Sequence, residues 1–242
     1  MKVLENQFKI MSSDCDRYGH LKMNRVLVIM QELAGEHSDK LGWSFENTLK
    51  HNAVWVVTRN EFLIERYPTI GQAVRGISFP GRARRGIYPR YYLIEDEQGQ
   101  ALIRGSSFWV LADVHTRQMT DIKDIMEDFP DTSALAPFFH NPGTADELVE
   151  GVSQSGVWHP VFTELDRNGH VNNTHAAERA LCFLNEAADI AQHPVRAVRV
   201  SYHKEMMAGD AVDMAFVSKD LDFSLRCDIK GELALRLSGN LF

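Results

Sequence analysis

The sequence predicts an α+β fold made of two similar units, in each of which one long helix packs against an antiparallel sheet. Each half contains one segment with helical periodicity followed by several strand-like runs. Residues 16–20 and 166–170 are identical at four of five positions, at an offset of 150. In both halves this pentapeptide follows a strand-like run and precedes a helix, so a duplicated unit that packs as a pseudo-dimer is favoured over two unrelated lobes.

The first half begins with a clear helical segment. An apolar residue recurs every three or four positions from Met23 to Leu41, which predicts a helix over residues 24–41. Asn24 is expected to cap the start of this helix, and Gly42 is expected to end it. Strand-like runs rich in β-branched and aromatic residues follow at residues 53–64, 74–79, 86–95 and 101–111, with a turn over residues 97–100.

The second half repeats this order after an interruption. Residues 121–154 contain three prolines and Gly143 among acidic and small residues, which predicts a short helix and a linker. We therefore expect one domain over residues 1–130, a linker over 131–153 and a second domain over 154–242. Periodicity then predicts a helix over residues 174–191. The strand-like runs of this half are residues 157–162, 195–202, 211–217, 223–229 and 233–241.

The composition is that of an ordinary soluble protein, since 44% of the 242 residues are apolar and 24% are charged. The 26 basic and 33 acidic residues give a net charge of −7, which argues against a general nucleic-acid-binding protein. No apolar stretch is long enough to predict a membrane span, and no signal peptide is visible. Three scattered cysteines, Cys15, Cys182 and Cys227, predict free thiols. We therefore expect a cytoplasmic protein.

The second copy of the repeated pentapeptide carries the richer set of polar side chains. Asp166, Asn168 and His170 alternate along the chain, so in an extended segment their side chains would project to one side. Asn172 and Asn173 follow where a helix begins, and the first N–H groups of a helix lack intrahelical partners. A carboxylate, an amide, an imidazole and free N–H donors are the parts that acyl transfer needs. The alternative is a polar loop in which Asp, Asn and Gly serve as turn formers, and composition alone favours it.

The first copy keeps the backbone signature and loses most of the polar set. Tyr18 stands at the position of Asn168, and Lys22 at the position of Asn172. We therefore expect one active half and one half kept for packing or chain binding. Glu205, at the end of a strand-like run, is either a solvated charge or a second carboxylate of the active half.

Other catalytic signatures are missing from the sequence. Cys182 and Cys227 fall inside predicted elements and are expected in the core, and Cys15 lies between two aspartates that oppose thiolate formation. No zinc-ligand spacing, serine-hydrolase elbow, Walker A loop or dinucleotide fingerprint occurs. We therefore expect no metal and no cofactor.

A cluster of positive charge interrupts this acidic chain. Arg82, Arg84, Arg85 and Arg90 fall within nine residues. The cluster predicts either a solvated hairpin or a docking patch for an anionic group or an acidic partner, and the sequence alone does not choose between them.

Four stretches of the chain together resemble a known family. They are Asn52-Ala53-Val54-Trp55-Val56-Val57-Thr58-Arg59, Glu65-Arg66-Tyr67-Pro68 with Gly71, Ser107-Phe108-Trp109-Val110, and residues 165–173 with the pattern Asp-x-Asn-x-His-Val-Asn-Asn. These stretches are similar to those of the acyl–acyl carrier protein (acyl-ACP) thioesterases of plants and bacteria. The resemblance implies two tandem hot-dog domains, each with a long helix wrapped by an antiparallel sheet. It also implies hydrolysis of the thioester between a fatty acyl chain and the phosphopantetheine arm of the carrier protein.

The resemblance assigns catalytic positions in this chain. Asp166, Asn168 and His170 occupy the catalytic motif of the family, and Glu205 matches its downstream carboxylate. Plant members carry a Cys directly after that Glu, where this chain has Met206, so a thiol mechanism is unavailable there. Either Asp166 or Glu205 would activate a water molecule or attack the thioester directly, and the sequence leaves this choice open.

The resemblance also suggests how the substrate is held, with the acyl chain beside the first helix and the thioester carbonyl at the start of the second. The expected substrate-binding residues are Val26, Met30 and Ala34 for the chain, Asn172 and Asn173 near the carbonyl, and Arg84 and Arg85 for the carrier protein. We expect a monomer or a homodimer, with no nucleic-acid or membrane partner.

Three alternative functions stay open. An acyl-CoA thioesterase of the same fold would use a substrate with the same pantetheine arm. A hot-dog hydratase or dehydratase would need a His–acid pair for proton transfer at carbon. A non-catalytic lipid-binding or regulatory protein would bind acyl chains without releasing a thiol.

Overall fold

The computed structural model describes residues 1–122, 125 and 129–242. The helices are α1 (Met23–Lys40), α2 (Phe45–Leu49) and α3 (His175–Ala187). The strands of the first half are β1 (Leu4–Lys9), β2 (Ala53–Ile64), β3 (Ala73–Pro80), β4 (Tyr88–Asp96), β5 (Ala101–Asp113) and β6 (Met119–Thr120). Those of the second half are β7 (Val152–Trp158), β8 (Val195–Tyr202), β9 (Val212–Lys219), β10 (Asp222–Ile229) and β11 (Glu232–Leu241). Among the described residues, no helix has the length and apolar character needed to cross a bilayer.

The strands form one antiparallel sheet in the order β1-β3-β4-β5-β2-β8-β11-β10-β9-β7, with β6 paired to β5. The order read inwards from either edge is the same, because β7, β9, β10, β11 and β8 repeat β1, β3, β4, β5 and β2. The two halves meet where β2 pairs with β8, its own counterpart. This confirms the α+β fold and the duplicated unit that the repeated pentapeptide predicts.

One hydrophobic core runs through both halves. The buried face of α1 includes Val26, Leu27, Met30 and Leu33, and each such side chain contributes roughly 1.5–3 kcal/mol when removed from water. The buried face of α3 consists of small residues and one leucine: Ala176, Ala177, Ala180 and Leu184. Both faces belong to the same cluster of contacting side chains, so the two halves of the sheet and the helices α1 and α3 form one packed body.

The predicted helix boundaries need correction at two ends, the start of α1 and the end of α3. Lys22, not Asn24, occupies the N-cap position of α1, and the Asn24 amide instead donates to Glu178 on α3 (2.5 Å). Gly42, with a φ of +85°, follows the end of α1 as expected. The second helix ends at Ala187 rather than residue 191, because the backbone of Ala188 is already extended.

The strand predicted over residues 157–162 is wrong. Pairing with β9 fixes β7 at Val152–Trp158, and Pro160, which lacks an N–H group, follows it before a short 3-10 turn over Phe162–Glu164. Part of the segment predicted to hold a short helix and a linker, residues 123, 124 and 126–128, lies outside the described residues. Residues 129–151 form neither helix nor strand.

The cysteines differ from expectation at one position. Cys15 and Cys227 are buried free thiols, and burial raises the pKa of the Cys227 thiol to about 12. Cys182 is exposed on α3, on the face opposite the core, so its predicted core position is wrong.

Candidate active site

The motif between β7 and α3 folds as a tight turn rather than an extended segment. The N–H of Asp166 donates to the carbonyl of His170 (2.7 Å), and the N–H of Gly169 donates to the carbonyl of Asp166 (3.0 Å). Oδ1 of Asp166 accepts from the N–H groups of Asn168 (2.8 Å) and His170 (3.3 Å). The expected one-sided projection of alternate side chains is therefore wrong, because the turn-forming tendency of Asp, Asn and Gly decides the backbone.

The first copy makes the same turn. Oδ1 of Asp16 accepts from the N–H groups of Tyr18 (2.8 Å) and His20 (3.0 Å). The shared Asp and Gly of the two pentapeptides are thus explained by backbone geometry alone. Any difference in chemistry between the halves must come from the side chains around the turn.

In the second half, His170 and Glu205 form a close pair. Nε2 of His170 lies 3.2 Å from Oε2 of Glu205, with the imidazole nearly buried and 42% of the carboxylate side chain exposed. The backbone of the motif holds the pair together, since the N–H of Val171 donates to the carbonyl of Met206 (2.8 Å) and His170 bridges to Met207. The structure therefore brings together two of the residues that the resemblance singles out and that lie 35 positions apart in the chain.

Glu205 is also in contact with the first half. Its Oε1 lies 3.3 Å from a guanidinium nitrogen of Arg117, in the turn between β5 and β6. Both carboxylate oxygens therefore face a cationic or ring N–H group. Arg117 carries no sequence signal, because its approach to Glu205 depends on how the two halves pack.

The side-chain amide of Asn168 and Oδ2 of Asp166 have no hydrogen-bond partner among the described residues. Asp166 uses only Oδ1 for the turn. Both side chains are partly exposed. A donor and an acceptor are thus available at the surface of the turn.

Asn172 and Asn173 fasten the motif to α1. Both side-chain amides donate to Oε1 of Gln31, at 3.3 and 2.6 Å. Oδ1 of Asn172 also accepts from the N–H (3.1 Å) and hydroxyl (2.9 Å) of Thr174, at the start of α3. Tyr202 donates to the carbonyl of Asn173 (2.8 Å). The two asparagines therefore place the turn against α1 through Gln31, a residue that the sequence analysis missed.

The equivalent place in the first half is closed. Tyr67 is the counterpart of Glu205, because each lies four residues before the glycine that ends its turn, Gly71 or Gly209. Both pairs of residues are 138 positions apart in the chain. The ring of Tyr67 lies 5.0 Å from that of His20, and its hydroxyl donates to the carbonyl of Val195 (2.6 Å). Burial raises the pKa of Tyr67, so this side chain stays a neutral packing group. The first half therefore has a tyrosine where the second half has Glu205, and the nearest carboxylate to His20 is Asp16 of its own turn, at 3.8 Å.

A largely apolar cavity of about 610 Å³, including its open mouth, lies between α1 and the sheet of the first half. Gln31 and Ala34 of α1 form part of its wall, which also includes Gly35, Trp43, Trp55, Tyr88, Arg90 and Trp109. Gln31 therefore touches both the motif and the cavity. A ligand with a polar end and an apolar chain would fit this arrangement, with the chain in the cavity.

Two of the three residues predicted to line the chain-binding channel do not line this cavity. Ala34 does, but Val26 and Met30 are packed in the core, and Met30 lies over Gly105 of β5. Helical periodicity identifies the buried face of α1, but it does not show which part of that face borders a cavity instead of packed side chains. The unfilled part begins further along α1, where Gly35 provides no side chain.

The arginine cluster divides into two environments. Arg84 and Arg85 are exposed in the tight turn before β4, where Arg84 pairs with Ile87 and Arg85 has a φ of +52°. Arg90 is buried on β4, with Nη1 3.0 Å from Nδ1 of His37 and 3.3 Å from Oγ of Ser78. The four arginines therefore do not form a single surface patch. The prediction of a docking surface now applies only to the exposed arginines of the cluster.

Two protein-family models match the chain: the N-terminal domain of acyl-ACP thioesterases over residues 1–129 and their C-terminal domain over residues 150–234. The chain belongs to the acyl-ACP thioesterase family. This confirms the resemblance found in the sequence. Among the described residues of this acyl-ACP thioesterase family member, no group of three or more His, Cys, Asp or Glu side chains is arranged to hold a metal ion.

Individual members of the acyl-ACP thioesterase family are similar over most of the chain. A palmitoyl-acyl carrier protein thioesterase of Gossypium hirsutum is 25% identical in an alignment of 229 positions that covers 84% of this chain and 52% of the relative. The chain thus spans about half the length of the curated relatives it matches.

Solved structures establish the tandem hot-dog fold. An acyl-ACP thioesterase from Bacteroides thetaiotaomicron superposes with a TM-score of 0.84 at 18% identity, covering 99% of this chain and 98% of that one. The 12:0-ACP thioesterase from Umbellularia californica gives a TM-score of 0.81 at 23% identity, covering 99% and 97%.

Proposed function

We propose that the protein hydrolyses fatty acyl-ACP thioesters to a free fatty acid and the carrier protein. One observation carries the proposal: Gln31 joins the polar turn of the second half to the apolar cavity of the first. A thioester bound at the turn would contact its polar groups, and the attached acyl chain would fill the apolar cavity. Membership of the family and the curated relative named palmitoyl-acyl carrier protein thioesterase support the same chemistry.

Asp166 is the general base of this proposal. Its Oδ1 is held by two backbone N–H groups, which leaves Oδ2 to accept a proton from water. The water oxygen attacks the carbonyl carbon, the carbon–sulfur bond breaks, and the proton passes from Asp166 to the leaving thiolate. Glu205 is less suited to this step, because both of its oxygens face N–H groups of His170 and Arg117.

Asn168 and His170 orient the thioester. In this proposal the Asn168 amide donates to the carbonyl oxygen as negative charge develops, and removing one such donor typically costs about 10²–10³ in rate. Glu205 holds the His170 ring in one orientation, so Glu205 is a positioning residue in this mechanism.

Release of thiol from palmitoyl-ACP and from palmitoyl-CoA tests the proposal. We expect release from both, with a higher kcat/KM for the carrier-protein substrate. A preference for palmitoyl-CoA would favour the acyl-CoA thioesterase, and binding of either substrate without thiol release would contradict hydrolysis altogether.

Arg84 and Arg85 are proposed to contact the acidic carrier protein. Reversing both charges, in Arg84→Glu/Arg85→Glu, is expected to raise KM for acyl-ACP and flatten its dependence on salt, with kcat little changed, because exposed charges act mainly on encounter. The pair Lys219→Glu/Lys230→Glu makes the same charge change on exposed side chains of the second half, at the end of β9 and in the turn after β10, and should leave KM near the wild-type value. An equal change in KM for the two double variants would show that Arg84 and Arg85 do not bind the carrier protein specifically.

A further inference from the structure

A buried guanidinium lies in the wall of the apolar cavity. Arg90 is only 7% exposed, yet it is one of the residues that line the cavity. Among the described residues, no carboxylate lies within ion-pair distance of it, in contrast to Arg75, Arg179 and Arg199, each of which meets a glutamate. Arginine stays protonated in proteins, so a full positive charge faces this space.

The protein neighbours of Arg90 do not neutralise that charge. Nδ1 of His37 accepts from the guanidinium, and burial together with the charge of Arg90 lowers the pKa of His37 to about 4. His37 is therefore neutral near pH 7, and Ser78 contributes only a hydroxyl oxygen. Of the three guanidinium nitrogens, Nη1 alone donates to a described residue. Nε and Nη2 have no hydrogen-bond acceptor among the described residues, and Arg90 is part of the cavity wall.

The rest of the cavity suits an apolar chain. Three tryptophans, Trp43, Trp55 and Trp109, contribute to its wall. A plain hydrocarbon packed against Arg90 would displace the little water that still reaches the guanidinium and offer no acceptor in exchange, which makes this contact less favourable than one with a polar atom. A chain with an oxygen atom at this point would keep the apolar contacts and supply the missing acceptor, and hydrogen bonds to charged groups are stronger than neutral ones.

The position of Arg90 places that oxygen away from the thioester. Gln31 marks the end of the cavity at the catalytic turn, and His37, which contacts Arg90, lies six residues further along α1. Six residues of α-helix span about 9 Å. The oxygen would therefore sit several carbons along the acyl chain rather than next to the carbonyl.

We propose that the cavity selects oxygen-bearing acyl chains, with a hydroxyl, oxo or carboxyl oxygen in mid-chain or beyond that accepts a hydrogen bond from Arg90. This proposal rests on the proposed function, because it takes the cavity as the acyl site. It makes Arg90 a specificity-determining residue for the reaction. Arg90 takes no part in bond breaking.

The test compares acyl-ACP substrates of one chain length, unsubstituted or with a hydroxyl at successive carbons. At one or more positions, wild-type kcat/KM should exceed that of the unsubstituted chain by at least about tenfold, the effect of one charge-assisted hydrogen bond. Arg90→Met, an apolar side chain of similar length, should bring this ratio close to one, while Arg90→Lys should keep part of it. The ratio is measured within each variant, so a general loss of stability does not imitate the result.

A second measurement does not depend on catalysis. Binding of the corresponding acyl-pantetheine amides, which lack the thioester, is compared by calorimetry for plain and hydroxylated chains. Tighter binding of a hydroxylated amide that disappears in Arg90→Met supports the proposal even if no thioester is hydrolysed, an outcome that would overturn only the proposed function. Hydrolysis of plain acyl-ACP with no preference at any hydroxyl position, and equal binding of the amides, would overturn the selection of oxygenated chains.

Discussion

At the residue scale, Asp16 and Asp166 make the same turn and have different neighbours. Asp16 lies near His20 and the packed ring of Tyr67, whereas the turn of Asp166 carries His170 against Glu205. The repeated pentapeptide therefore locates both turns in the sequence, and it does not by itself locate the chemistry. The chemistry depends on which side chain the following strand delivers to the histidine.

Residues of the cavity were harder to predict than those of the turn. All nine residues of β4 are buried, so the alternation that separates inner from outer positions in a half-buried strand is missing there. For this reason the sequence alone does not distinguish the buried Arg90 from the exposed Arg84 and Arg85. Gln31 lies on the polar side of the periodic stripe, and only the packing of the second half against α1 gives it a role.

His37 yields a prediction about stability against pH. Its pKa is about 4 in the folded protein, against 6.5 for an ordinary histidine. Between these values the unfolded chain binds a proton that the folded chain does not, so the free energy of unfolding falls as the pH is lowered from 6.5 to 4, by at most about 3 kcal/mol. Urea denaturation at several pH values should show a weaker pH dependence in His37→Gln than in wild type. An unchanged dependence in His37→Gln, matching the exposed control His193→Gln, would contradict the assignment.

At the element scale, the pairing of β2 with β8 joins the halves at equivalent positions. Glu61 pairs with Arg199, and the difference of 138 between their numbers is the offset that relates the two turns ending at Gly71 and Gly209. A symmetric pair of identical units would place identical residues here. In this chain opposite charges meet, with Nε of Arg199 2.8 Å from Oε1 of the buried Glu61.

Glu61→Lys should therefore weaken the seam between the halves. Two cations would face each other, and we expect a loss of about 2 kcal/mol, less than for a fully buried pair because Arg199 is partly exposed. The double exchange Glu61→Arg/Arg199→Glu should recover part of it. Glu65→Lys, opposite Arg104 in a partly exposed pair, should cost less than about 1 kcal/mol. Equal losses in the two single variants, measured by chemical denaturation, would show that the seam has no special role.

The sequence predicted most strands to within two residues, because β-branched and aromatic runs separated by turns give a strong local signal. The prediction is wrong at residues 157–162, because Val161 and Phe162 have strand-like side chains but lie beyond Trp158, the last residue of β7 that pairs with β9. The position of β7 is set by its partner β9, and such pairing between distant segments has no local signature.

At the scale of the whole molecule, one sheet and one core span both halves. We therefore expect a single cooperative unfolding transition, with equal calorimetric and van't Hoff enthalpies. Two resolved transitions, or a stable fold of residues 154–242 expressed alone, would show that the halves are independent. The cytoplasmic location and the monomeric or homodimeric state stay predictions.

In the proposed function, hydrolysis takes place at the turn of the second half, with Asp166 as the base. The most direct measurement is the turnover of palmitoyl-ACP by Asp166→Asn and by its matched control Asp16→Asn. Asparagine keeps an oxygen that can accept the two backbone hydrogen bonds of either turn, so both variants should fold. We predict a loss of at least about 10² in kcat for Asp166→Asn, in the range typical of general-base catalysis, and wild-type turnover within about threefold for Asp16→Asn. Full turnover by a correctly folded Asp166→Asn, or equal losses in both variants, would contradict the account.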